Sequence, residues 1–232
     1  MSVEYCDAGC QRRSWKSHKL ECKSSAASRL STLQSEAEAG NTVAQYNLGI
    51  CYKNGFGVPV DKVQAVTWYR RAAEAGFSDA QFNLGVCYSN GKGVPVDAVQ
   101  AVSWYRRAAE ADNSGAQFKL GFCYAKGKGV PVDTVQALAW YSRAAEAGDS
   151  VAQRNLGVCY ANGEGVPVDA VQAVTWLRRA AEAGLTDAQH ILGVCLLKGR
   201  GVPKNVVESR KWLRRAADAG HAGASEMLSS LG

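Results

Sequence analysis

The chain has 232 residues, 47% of them apolar and 21% charged, an ordinary composition for a globular protein with enough apolar surface to bury a core. No run of 18 uninterrupted apolar residues occurs, and the polar first 14 residues lack the apolar centre of a secretory signal, so a membrane partner is not expected and a cytoplasmic or nuclear address is. The formal net charge of +6 is spread along the whole chain, which reads as a solvated surface and not as a nucleic-acid site.

The first element in chain order runs from Tyr5 to Cys22 and contains Cys6, Cys10, His18 and Cys22 in the spacing C-x3-C-x7-H-x3-C. Thiolates and imidazole are the donors that tetrahedral Zn²⁺ prefers, and an x3 gap sets two of them one helical turn apart on one face. The same residues also fit a frayed helix with free thiols.

From residue 24 the sequence becomes periodic. Trp68, Trp104, Trp140, Trp176 and Trp212 are 36 residues apart, as are Pro59, Pro95, Pro131, Pro167 and Pro203, and Cys51, Cys87, Cys123, Cys159 and Cys195. Three rare residue types sharing one period define a structural repeat. Each unit reads as two helices. The first spans about Val43 to Asn54, with Ala44, Leu48, Cys51 and Tyr52 on one face, and Gly55 and Gly57 end it. After Val58, Pro59 and Val60, Asp61 and Gln64 form a capping box for the second helix, which recurs in the next three units and becomes Asn205 and Glu208 in the last. The second helix carries Ala65, Trp68, Ala72 and Ala73, with Trp68 expected to supply most of the buried area.

One helix pair cannot bury its apolar face alone, whereas stacked pairs can. The fold class is therefore all-α: a right-handed α/α solenoid superhelix of five 36-residue helix pairs with half-repeat caps, preceded by a short zinc-finger segment. The expected boundaries are 1–23 for the finger segment and 24–39 for a degenerate capping helix in which Thr32 replaces the tryptophan. The repeats then run 40–75, 76–111, 112–147, 148–183 and 184–219, and 220–232 forms a C-terminal half-repeat. The five periodic cysteines read as small buried apolar residues, because neighbouring helices lie about 8–10 Å apart and a disulfide needs Cα atoms within about 7 Å. The pairs Arg70-Arg71, Arg106-Arg107, Arg178-Arg179 and Arg214-Arg215 precede Glu74, Glu110, Glu182 and Asp218 and are expected to form ion pairs on a solvated helix face.

The pattern Ala44-x3-Leu48-Gly49-x2-Tyr52-x2-Gly55-x-Gly57-Val58, followed by Asp61, Ala65, Trp68-Tyr69 and Ala72-Ala73, resembles the Sel1-like repeat, a relative of the tetratricopeptide repeat. The resemblance covers residues 37 to 232, departs from the family only in Gln64, and implies a scaffold that holds protein partners together, with no catalytic residues. Tyr5, Gln11, Trp15 and Lys19 around the N-terminal cysteines make that segment similar to the C-terminal half of a MYND zinc finger. A full MYND finger holds two zinc ions with eight ligands, so Cys6, Cys10, His18 and Cys22 are half of the implied set. Two readings follow: Met1 is an internal residue of a longer protein, or the four ligands gather on a single zinc.

The expected function is a non-catalytic, monomeric scaffold that binds protein or peptide partners on the concave face. In related solenoids the first helices line that face, which places Tyr46, Phe82 and Phe118 in one column and Ile50, Val86 and Phe122 one turn later. Asn47, Asn83 and Asn155 stand beside the column, and the alternative is that these aromatic side chains pack between neighbouring first helices. No acid–base or nucleophile constellation stands out, and His18, His190 and His221 are scattered. The second reading of function is a fragment of a larger MYND-containing protein, a methyltransferase or a ubiquitin-pathway adaptor, whose activity lies outside this chain.

Overall fold

A computed structural model describes residues 28–231, and all regular structure among them is helical. The chain divides into two compact units, the first ending at Val96 and the second beginning at Asp97. The first contains α1 (28–38), α2 (Thr42–Asn54), α3 (Lys62–Glu74) and α4 (Ser78–Asn90). The second contains α5 (Ala98–Glu110), α6 (Ser114–Lys126), α7 (Thr134–Glu146), α8 (Ser150–Asn162), α9 (Ala170–Glu182), α10 (Thr186–Lys198), α11 (Val206–Asp218) and α12 (Ala222–Ser230). Even-numbered helices are the first members of the repeats and odd-numbered helices the second. The expected helix pairs are present, as are the flanking helices α1 and α12. Residues 1–27, and with them the candidate zinc ligands, lie outside the described part.

Local chemistry sets the ends of each helix. Gly55 closes α2 in the left-handed region at φ 78°. Asp61 opens α3, its Oδ1 accepting from the backbone N–H groups of Val63 and Gln64. The second half of the expected capping box is not formed, because the Asp61 N–H donates to the Tyr52 carbonyl at 2.9 Å. Asp133, Asp169 and Asn205 repeat this bond to Tyr124, Tyr160 and Leu196. The cap N–H thus ties the second helix back to the first, and Gln64 is left exposed.

The core differs from the sequence expectation in one respect. On the second helix of each pair the most buried large side chain is the residue after the tryptophan: Tyr69 at 0%, Tyr105 and Tyr141 at 3%, Leu177 at 1% and Leu213 at 0% exposure. Two adjacent helical positions point about 100° apart, so only one of them faces the partner helix squarely. Gly121 makes room for the winner, since a Cβ there would come 2.8 Å from Cδ1 of Tyr141. Trp68 and Trp212 are also buried, at 9% and 8% exposure, whereas Trp104, Trp140 and Trp176 are half-exposed.

The arginines are also placed differently. Among the described residues the expected ion pairs with Glu74, Glu110, Glu182 and Asp218 are not formed. Arg71, Arg107, Arg179 and Arg215 instead lie 4.5–4.8 Å above the rings of Trp68, Trp104, Trp176 and Trp212, as does Arg143 above Trp140. These arginines are exposed, and at such positions contact with an indole face is worth at least as much as a screened surface ion pair. Arg70 and Arg106 donate to the hydroxyls of Tyr88 and Tyr124 at 2.7 Å, and Arg178 to Glu208 at 2.6 Å, so the first arginine of a pair links successive repeats.

A buried polar ladder was not foreseen. Gln45, Gln81, Gln117, Gln153 and Gln189 are 2–8% exposed. Each Nε2 donates to a carbonyl eight residues earlier, at the end of the preceding helix, as Gln117 does to Ala109. Each of those carbonyls also accepts from the backbone N–H three residues on, as Ala109 does from Asp112 at 3.1 Å, so the glutamine supplies a second bond to a buried acceptor.

Candidate partner-binding clefts

In each unit a cleft lies between consecutive first helices. In the first unit, α2 and α4 flank a cleft of about 180 Å³. Val86 forms part of its wall, the buried Tyr69 and Cys87 its floor, and the exposed Lys53, Lys62 and Lys92 its rim. In the second unit, α6 and α8 flank a cleft of about 290 Å³. Phe118, Phe122 and Val158 are its apolar walls, Tyr141 and Cys159 its floor, and Lys126, Arg154 and Glu164 its charged edge. The two floors occupy equivalent repeat positions, a tyrosine from a second helix beside a cysteine from the following first helix.

The residues expected to contact a partner are all half-buried. Val86, Phe118 and Phe122 line the clefts. Tyr46 is largely used in packing: its ring lies 5.9 Å from Tyr69 and 5.1 Å from Phe77, and its hydroxyl accepts from Asn83 Nδ2 at 3.2 Å. Ile50 and Phe82 do not line either cleft. Asn83 also donates to the Asp79 carbonyl, and Asn155 bonds the Tyr141 hydroxyl, so both amides are committed within the fold, whereas Asn47 is exposed. Phe118 lies 6.0 Å from Tyr141, and the ammonium groups of Lys119 and Lys128 stand 5.6 and 5.2 Å from the Phe118 and Phe122 rings.

The five periodic cysteines are free thiols. Burial raises the pKa of each, that of Cys159 to about 11, which keeps them protonated at neutral pH. The sequence expectation of buried apolar residues describes Cys87, Cys123 and Cys159, and Cys51 and Cys195 are only half-buried. What the sequence reading did not show is that Cys87 and Cys159 reach the cleft floors.

His190 and His221 are not scattered. Their rings stack with centroids 4.2 Å apart, and Asp187 Oδ1 lies 3.9 Å from His221 Nε2. Their separation of 31 residues equals that of Tyr46 and Phe77, so the stack is one instance of a contact between a first helix and the residue opening the next one. His221 Nδ1 accepts from the Ala224 N–H and caps α12. Among the described residues no group of three or more His, Cys, Asp or Glu is placed to hold a metal ion.

The histidine pair has a pH consequence. Burial, and then the adjacent His221, lower the pKa of His190 below its ordinary value, with Asp187 opposing them. Arg154 completes the charged groups at this place, 3.9 Å from Asp187. A histidine whose folded pKa is depressed binds more protons when unfolded, so its contribution is complete above about pH 6.5 and is lost as pH falls through the folded value. The thermal midpoint is expected to drop between pH 7.5 and pH 5, and His190→Gln is expected to flatten that part of the profile. An unchanged profile in the variant would assign the acid sensitivity elsewhere.

Five consecutive segments, 42–77, 78–113, 114–149, 150–185 and 186–221, match the Sel1 repeat family, and residues 1–22 match the MYND finger family. The chain is similar to the crystal structure of a protective antigen with an SLR fold present in uropathogenic Escherichia coli strains, at 39% identity and a TM-score of 0.84 over 86% of this chain and 43% of the antigen. It is also similar to a Sel1 repeat protein from Oxalobacter formigenes, at 36% identity and a TM-score of 0.82 over 92% of this chain and 85% of that one. A sel1 repeat protein from Klebsiella pneumoniae aligns at 25% identity with a TM-score of 0.52 over 87% of this chain and 98% of that one. The chain thus spans less than half the length of the E. coli antigen. No curated protein matches it.

Proposed function

We propose that this chain, which belongs to the Sel1 repeat family, is a non-catalytic scaffold that holds short segments of partner proteins in the clefts between its first helices. Sel1 repeat proteins are generally protein-interaction scaffolds. The observation that carries the reading to particular residues is the cleft of the second unit, where Phe118, Phe122 and Val158 surround about 290 Å³ above a tyrosine floor. Aromatic walls around a concavity are what an apolar anchor residue of a bound peptide requires. Tyr46, Ile50 and Phe82 are proposed as flanking contacts on the same helices. Among the described residues no helix is long and apolar enough to cross a membrane.

The test is a random 12-residue peptide library displayed on phage and selected against the purified protein. Phe118→Ala is expected to weaken the selected peptides ten-fold or more without changing helicity, because a desolvated aromatic anchor contributes about 2 kcal/mol. Full binding by both Phe118→Ala and Phe122→Ala would rule out the cleft of the second unit as the binding surface, and full binding by Phe82→Ala would remove Phe82 from the flanking contacts.

The match of residues 1–22 supports a second module. We propose that Cys6, Cys10, His18 and Cys22 hold Zn²⁺. Three thiols and one imidazole are the donors and the number that one tetrahedral ion takes, and bound metal would contribute folding energy to a short segment. Purified protein is expected to carry close to one zinc per chain by elemental analysis, and Cys22→Ser to lose most of it. Equal metal in the two proteins would remove Cys22 from the ligand set.

A further inference from the structure

The three lysines at the rim of the first cleft converge from three different segments. Lys53 ends α2, Lys62 begins α3, and Lys92 follows α4. None forms an ion pair among the described residues, and no carboxylate lines the cleft. The charges reach inward: Lys53 and Lys92 both act on the Cys87 thiol at the floor. Beneath them the Tyr69 hydroxyl is wholly buried, lines the cleft and has no hydrogen-bond partner. Buried hydroxyls are normally bonded, so this one is a donor in want of an acceptor.

The repeat itself supplies the control. The positions equivalent to Lys53, Lys62 and Lys92 hold Ser89, Ala98 and Lys128 one repeat on, then Ala125, Thr134 and Glu164, then Ala161, Ala170 and Arg200. The cleft of the second unit corresponds to the set Ala125, Thr134 and Glu164, and both Ala125 and Glu164 line it. A basic rim is therefore not a property of the repeat. The first cleft has three lysines and no carboxylate, whereas the second has Lys126 and Arg154 together with Glu164.

We propose that the first cleft binds an acidic segment of a partner protein, with Asp or Glu carboxylates seated between Lys53, Lys62 and Lys92 and within reach of the Tyr69 hydroxyl. The proposal rests on the reading of the clefts as peptide sites and adds the partner's chemistry. Like charges held together without counter-charge attract an anion and raise its association rate. The dimensions favour a peptide over a duplex, since a cleft of about 180 Å³ admits one or two side chains.

The experiment selects the same 12-residue library on the wild type and on Lys53→Gln/Lys62→Gln/Lys92→Gln. Exposed, unpaired lysines can be neutralised without unfolding the protein, which circular dichroism checks. Peptides found only with the wild type are expected to be rich in Asp and Glu, and to lose about ten-fold in affinity between 50 and 300 mM salt. Lys62→Glu is expected to abolish the acidic preference. Identical selections on the two proteins would overturn the proposal while leaving the cleft reading intact if Phe118→Ala still weakens binding. No selected peptide on either protein would overturn both. Displacement of the acidic peptides by a thymidine decanucleotide at lower concentration would assign the rim to nucleic acid instead.

Discussion

Tyr141→Ala is expected to destabilise the second unit by about 4 kcal/mol, and Trp140→Ala by only about 2 kcal/mol. The order runs against residue size. Tyr141 is 3% exposed and packs with Leu156 and Cys159 in one core cluster, whereas Trp140 is half-exposed and held by Arg143 across one ring face at 4.8 Å. Removing the tyrosine ring leaves a cavity against the backbone of Gly121, which cannot close because both helices are held by their other contacts. Tyr141→Leu is expected to cost under about 1.5 kcal/mol, since volume is largely kept and the chain itself places Leu177 and Leu213 in this position. Stability in repeat proteins is close to a sum of local and neighbouring terms, so the loss should appear as hydrogen exchange in α6 and α7 first. A larger effect for Trp140→Ala in urea denaturation would refute this assignment of the core.

Gly129→Ala is expected to cost about 3 kcal/mol and Gly57→Ala about 1 kcal/mol, although the two glycines hold the same repeat position. Both have positive φ, 74° and 75°, so each substitution carries left-handed strain of about 1 kcal/mol. They differ in surroundings. A Cβ on Gly129 would stand 2.2 Å from the Ala98 carbonyl oxygen in the first turn of α5, and backbone cannot swing aside. Among the described residues the only atom within 4 Å of a Cβ on Gly57 is the Cδ2 of Leu30 at 3.4 Å, an ordinary contact. The overpacking cost of about 1–3 kcal/mol therefore falls on Gly129 alone. Equal losses for the two variants in thermal denaturation would show that the close approach to α5 contributes nothing.

These expectations separate what periodicity conveys from what packing decides. The Gly-x-Gly loop was legible as a helix stop, and its first glycine is one, but the approach of the second glycine to the preceding repeat depends on a neighbour 31 residues earlier. The Asp61 cap was legible because an N-cap is a local event, while the fate of its own N–H was set by a carbonyl nine residues back on another helix. Similarly, Arg71 and Glu74 had the right spacing for an ion pair, and the indole of Trp68 took the guanidinium instead.

The candidate site divides in the same way. Val86, Phe118 and Phe122 could be placed on one stripe from sequence, because residues on a helix keep their order around the axis. That Tyr46 turns into packing while Tyr69, Cys87 and three lysines form a cleft could not, because each of those facts needs three helices at once. The His190–His221 stack was hidden for the same reason, although the 31-residue interval that it shares with Tyr46 and Phe77 was available to be read.

By itself, then, the sequence determined the all-helical repeat, the helix ends and the face that each helix buries, because these follow from hydrogen bonds and side-chain spacings within about one helical turn. Only the tertiary structure decided which of two adjacent aromatic residues is the interior one, which glycine touches a neighbouring repeat and where the lysines converge. Those outcomes depend on the distance and angle between helices, which no single helix encodes. The 36-residue repeat makes every junction alike in backbone, so the chain's specificity resides in the few side chains that break the period.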